Sequence, residues 1–165
     1  MKIKYTLSAL FFSLIFSLSA QVNPHAIGLR LNGDGRGNGA EISYQHGFGD
    51  ANRLEIDLGG RSHKNWRHYG VFVGYHWVWN LTDGLNWYIG PGAAIGSYQS
   101  RYNYDDGITL AVGGQIGLEY DFSSAGAPIL LSLDARPLWD VWTYYEYNPY
   151  DHFGYNAAFS IRYVF

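Results

Sequence analysis

The sequence predicts an all-β protein, eight antiparallel strands closed into a transmembrane β-barrel with a polar interior. Three observations carry that prediction. Segment after segment alternates apolar with polar or small residues, the period of a strand whose side chains point to opposite faces. The polar face collects charge in nearly every segment. A soluble barrel turns its apolar face inward, so this arrangement suits a polar lumen and a wall that faces lipid. The connections alternate between short turns and generally longer loops, as in barrels that cross a membrane.

The strands follow a leader. Lys2 and Lys4 precede an apolar run from Leu7 to Phe16, and Leu18, Ser19 and Ala20 close it. A basic start, a short apolar stretch and small residues mark a secretory signal peptide. Cleavage after Ala20 leaves residues 21–165 as one domain. That part is mildly acidic, its 14 Asp and Glu outnumbering the remaining Lys and Arg, so it has no nucleic-acid footprint. With no Cys, neither disulfides nor thiolate metal sites are available. Gly (21) and Tyr (15) are abundant, and no later stretch has the length and apolarity of a membrane helix.

The first segment, 26–32, sets Ile27, Leu29 and Leu31 against Gly28 and Arg30. A glycine-rich loop, 33–39, leads to the second, 40–48, with Ile42 and Tyr44 opposite Glu41, Ser43 and Gln45. Residues 49–52 turn the chain into the third, 53–61, where Leu54, Ile56 and Leu58 oppose Glu55 and Asp57. A basic loop, 62–67, precedes the fourth, 68–80, with Val71, Val73, Tyr75, Trp77 and Trp79 on one face. After a turn at 81–84 the fifth, 85–98, shows Trp87, Ile89, Pro91, Ala93 and Ile95 opposite mostly small residues. The loop 99–107 leads to the sixth, 108–122, whose polar face carries Gln115, Glu119 and Asp121. The turn 123–128 and the seventh, 129–139, follow, with Leu131, Leu133 and Ala135 opposite Ser132, Asp134 and Arg136. A long aromatic loop, 140–153, leads to the last segment, 155–165.

That last segment alternates Tyr155, Ala157, Phe159, Ile161, Tyr163 and Phe165 with mostly small or polar residues. It resembles the closing strand of a bacterial outer-membrane barrel, which typically ends in Phe. At the level of pattern the whole exported chain is similar to the small OmpA/OmpX-type barrels. The resemblance implies an outer-membrane location with both termini in the periplasm, contact with outer-membrane lipid, and recognition of Tyr163 and Phe165 by the barrel-insertion machinery. It also implies short periplasmic turns and longer outer loops. Trp77, Trp79, Trp87, Tyr120 and Phe122 lie near the turn ends of their strands, where an interfacial girdle belongs. Eight strands leave an interior just wide enough for side chains, which excludes a wide diffusion pore.

Three groups of residues are candidate sites. The inward charges Arg30, Glu41, Glu55, Asp57, Glu119, Asp121, Asp134, Arg136 and Arg162 form either a salt-bridge network that replaces an apolar core or an ion path. Gly70, Gly74, Gly92, Ala94, Gly96, Ala111 and Gly113 make an inward wall of small residues. It either leaves room for long side chains such as Arg30, Arg162 and Gln45, or lines a pocket open to the outside. Tyr102, Tyr104, Trp142, Tyr144, Tyr145, Tyr147 and Tyr150 crowd the outer loops. They either bind an extracellular protein or glycan or anchor the barrel at the interface. Residues 34–39 carry part of a calcium-loop pattern, but Arg36 holds a ligand position and Gln45 stands where a bidentate Glu belongs, so the match fails.

Outer-membrane lipid deacylases are similar barrels that carry a His-x-Ser pair, and no His here precedes Ser at that spacing. The expectation is therefore a non-enzymatic protein without cofactor or metal, in a structural or surface-interaction role. A lipid-modifying enzyme and a narrow ion or solute conduit are the alternatives, with a soluble lipocalin-like carrier behind them.

Overall fold

The computed structural model describes residues 22–35, 37–100, 106–143 and 153–165. The predicted leader, 1–20, lies outside them. Eight strands follow in order: β1 (His25–Gly33), β2 (Asn38–Phe48), β3 (Asn52–Ser62), β4 (Trp66–Thr82), β5 (Leu85–Ser100), β6 (Asp106–Asp121), β7 (Ile129–Thr143) and β8 (Phe153–Val164). Each pairs with its neighbour antiparallel, and β1 pairs with β8, so the sheet closes on itself. Closure pairs the backbone on every side, a requirement for a sheet in lipid.

Alternation along each strand separates two environments. Leu29, Leu31, Leu58, Leu118 and Leu133 point outward and are exposed, while Arg30, Arg53, Arg136 and Arg162 are among the most deeply buried side chains. The distribution is inside out relative to a soluble domain, and the apolar band runs around the whole wall.

The ends differ from expectation at the connections. At the end where β1 starts and β8 finishes, Gly49 (φ 66°) and Gly84 (φ 74°) take the left-handed conformation that tight turns need, and a 3-10 turn, Phe122–Ala125, joins β6 to β7. At the far end the sequence predicts generally longer loops, the first two over 33–39 and 62–67. Instead, Gly33 pairs with Asn38 and Ser62 with Arg67, so the first two connections there are tight as well. Asp34 makes the first possible: its carboxylate accepts the Gly37 N–H (2.7 Å) and the Arg61 guanidinium (3.0 Å). The fourth strand starts at Trp66 rather than His68, because His63 N–H bonds to the Trp66 carbonyl across a short turn.

The residues just before β1 cover the terminal end of the lumen. Val22 packs on the small buried cluster of Val78 and Tyr88, and its N–H bonds to the Asp50 carbonyl (2.9 Å). Asn23 donates to the Asp121 carboxylate (2.6 Å).

Candidate functional site

The lumen holds the densest polar chemistry among the described residues. Even-numbered positions of β1 and odd-numbered positions of β3 face inward, so Arg30 and the Arg53–Glu55–Asp57 series converge on the axis. Arg30 grips Asp134 through Nε and Nη2 and reaches Glu41 (2.8 Å) and the Asn156 amide oxygen (2.7 Å). Arg136 donates to Gln115 (3.0 Å), Glu41 (3.1 Å), Glu55 (2.7 Å) and Asp57. Arg136 stands on β7 and Glu55 on β3, four places apart in the ring of eight strands, so this pair spans the full bore. Arg162 donates to Ser43 (2.9 Å), Ser132 (2.8 Å) and Glu55 (3.2 Å).

Glu55 is the hub. It accepts from Arg136 and Arg162, and also from Gln45 (2.5 Å) and Gln115 (3.1 Å). Charges removed from water persist only when paired and hydrogen-bonded, and here each guanidinium meets a carboxylate.

Alternation in the sequence puts three arginines and six carboxylates on the inward face. The structure adds Arg53, which pairs with Glu119 (2.6 Å), lies over the Tyr88 ring (4.4 Å) and donates to His76 Nδ1 (3.4 Å). It removes Asp121. The chain leaves the barrel there, and the Asp121 carboxylate caps the following turn by accepting the Ser123 N–H (2.8 Å). His76, Tyr88 and Gln115, which alternation along their strands already places on the inward face, join the network as well, although a criterion of formal charge leaves them out. Among the described residues, Arg53 Nη2, Asp57 Oδ1, His76 Nε2, the Ser160 hydroxyl and the Asn32 amide are buried without a hydrogen-bond partner from the protein.

The small residues of β4 to β6 are buried or half-buried on the lumen side, and the side chains they make room for come from their own side of the barrel. A Cβ on Gly92 would fall 2.4 Å from the Phe72 ring, and one on Gly96 would fall 2.4 Å from His68 Nε2. Gly92 and Gly74 thus seat Phe72, a residue of the same side of the barrel rather than of the opposite wall. Arg136 lies over the exposed face of that ring, 3.8 Å from its centroid. Gly70 borders what remains, a cavity of about 50 Å³ between Glu41, Arg61, His68, Phe72, Leu138 and Asn156. That holds a few waters and is too small for a sugar or a lipid headgroup. Ala94 pairs with Ala111 and Gly92 with Gly113 across β5 and β6, and Ala94, Ala111 and Gly113 do not line that cavity.

A polar, bridged lumen inside an apolar wall is the arrangement to compare with known proteins. No family model matches the sequence, and no curated protein matches it. Among solved structures, Neisserial surface protein A aligns with a TM-score of 0.62 at 12% identity, over 86% of this chain and 95% of that one. The attachment invasion locus protein of Yersinia pestis aligns with a TM-score of 0.52 at 12% identity, over 86% of this chain and 96% of that one. The chain has the fold of the small eight-stranded outer-membrane barrels.

An outer-membrane-type barrel also has an outer surface. Of the aromatic set assigned to the loops, Tyr102, Tyr104, Tyr144, Tyr145, Tyr147 and Tyr150 lie outside the described residues. Trp142 does not belong with them. It pairs with Leu110 on β6 and faces outward, because the register shifts between Leu110 and Ala111 and an extra residue of β7, Val141, is accommodated there. At the other end Tyr163 and Phe165 stack on the outer wall (6.3 Å between centroids), and Phe165 N–H bonds to the His25 carbonyl, sealing β8 against β1.

Proposed function

We propose that this chain is an integral outer-membrane protein whose barrel is shut to solutes and which works through its outside. Its role is structural or surface-interactive rather than catalytic. The observation that carries this reading is the lumen: four arginines bridge its walls, and Arg136 spans the bore to Glu55. In this reading both termini lie in the periplasm, lipid surrounds the apolar wall, and the insertion machinery reads the strand that ends in Tyr163 and Phe165. The far end, with its aromatic-rich connections, is presented to the exterior and to any protein or glycan ligand.

The test is a planar-bilayer recording on the refolded mature chain, paired with cell fractionation. The expected result is recovery with outer membranes and no steady single-channel current. A current that changes when Arg136→Ala or Glu55→Ala is introduced would replace the closed barrel with the conduit reading. Recovery as a soluble periplasmic protein would remove both.

A further inference from the structure

Two histidines meet on the outer wall at the terminal end of the barrel. His25 opens β1 and His46 lies near the end of β2, directly opposite it in the register. Their Nδ1 atoms are 3.3 Å apart, and the Tyr44 hydroxyl lies 2.9 Å from His25 Nδ1. His25 Nδ1 therefore has two polar neighbours. A ring nitrogen offers either one proton or one lone pair, in a single in-plane direction, so it satisfies only one of them well by hydrogen bonding.

A metal ion satisfies both. Two nitrogens bound at 2.0–2.1 Å and set at the tetrahedral angle stand about 3.3–3.4 Å apart, the separation seen here. The rings are tilted by 41° rather than stacked face to face, and each is held from outside. Phe165 stacks on His25 (5.4 Å) and Phe48 meets His46 edge-on (4.8 Å). Both imidazoles are half-buried and sit at the barrel's rim, next to the turn at Gly49. Among the described residues no group of three or more His, Cys, Asp or Glu is placed to hold a metal; here the third donor is a phenol.

We propose that His25 and His46, with the Tyr44 phenol, form a binding site for a divalent transition-metal ion of the imidazole-preferring kind, zinc or copper(II). The two Nδ1 atoms are the primary ligands. Tyr44 orients His25 or completes a third position, and solvent supplies the rest. The site joins the first hairpin of the barrel at its rim, independently of the lumen.

The experiment is a calorimetric titration of the refolded mature chain in detergent with zinc chloride and, separately, copper sulfate. The expected result is one equivalent of metal per barrel. His25→Ala and His46→Ala should each weaken binding at least about tenfold, and Tyr44→Phe should weaken it less. Cobalt(II) in place of zinc should give a tetrahedral ligand-field spectrum that His46→Ala abolishes. If a variant fails to fold, 15N-histidine NMR of the unmutated chain decides: zinc should shift the Nδ1 signals of two rings, His25 and His46. Absence of a saturable one-equivalent site, or the same affinity in the double variant His25→Ala/His46→Ala, would overturn the proposal.

Discussion

Replacing Glu55 should be the most damaging single change in the lumen. Among the described residues Glu55 is the only carboxylate ion-paired with Arg162, which also donates to the hydroxyls of Ser43 and Ser132. Glu55→Leu therefore strands a buried guanidinium, while Arg136 keeps Asp57 and Glu41. Breaking a buried ion pair on one side costs about 3–5 kcal/mol. Removing both partners is different, because replacing a buried pair by apolar residues of similar volume is often neutral or stabilising. Glu55→Leu/Arg162→Leu should thus be more stable than Glu55→Leu by at least about 2 kcal/mol. The assay is reversible urea unfolding in lipid vesicles, with the folded fraction read from heat-dependent gel mobility. A single variant within about 0.5 kcal/mol of the parent, or a double variant no better than the single, would refute the argument. Either result would mean that lumen water solvates Arg162 as well as the carboxylate does.

The wall and the lumen should respond oppositely to the same residue. Ile56→Arg puts a charge on the outer face and should cost about 2–4 kcal/mol near the bilayer midplane, whereas Gln45→Arg places it beside Glu55 and should cost less; equal midpoints in the refolding assay would show the faces to be misassigned. Gly92→Ala should lower stability by about 1–3 kcal/mol because Phe72 must yield, and Phe72→Leu should restore part of that loss when combined with it. Additive effects of those two changes would disconnect Gly92 from the Phe72 seat.

The fold was legible because period-2 alternation is a strong signal when both faces are distinct. Glu55 and Asp57 could be placed inside from parity alone, and the same parity points to Arg53, whose position beside the turn hid it. Charge was too narrow a criterion for the lumen, since His76, Tyr88 and Gln115 complete it without any. Parity also fails wherever the ladder slips. At Val141 an extra residue leaves both Val141 and Trp142 exposed on the outer side, and no compositional mark distinguishes that bulge from ordinary strand. At Asp121 the alternation holds, but the strand ends there and the carboxylate caps the next turn instead of joining the arginine network. The metal-site candidate was invisible for another reason. His25 and His46 are 21 residues apart and meet only through the register of a hairpin.

The glycines that seat Phe72 and His68 also bear on the export that the proposed outer-membrane location would require. A protein bound for the outer membrane must cross the inner one without being retained there as a helix. In most strands interleaved charges prevent arrest, because an Arg or Asp at the centre of an inserting helix costs about 2.5–3.5 kcal/mol against a gain of only about 0.3–0.6 for each Leu or Ile. All of β5 and all of β4 beyond Arg67 lack that protection: from His68 to Thr82 and from Leu85 to Ser100 there is no Asp, Glu, Lys or Arg. What they have instead is Gly70, Gly74, Gly90, Gly92 and Gly96, with Pro91 among them. Each Gly disfavours a helix by about 1 kcal/mol and a Pro by about 3 kcal/mol relative to Ala, and none adds an apolar side chain. The least charged quarter of the barrel is thus interrupted by five Gly and one Pro, and filling those positions with Ala or Leu should retain the exported precursor of the proposed function in the inner membrane.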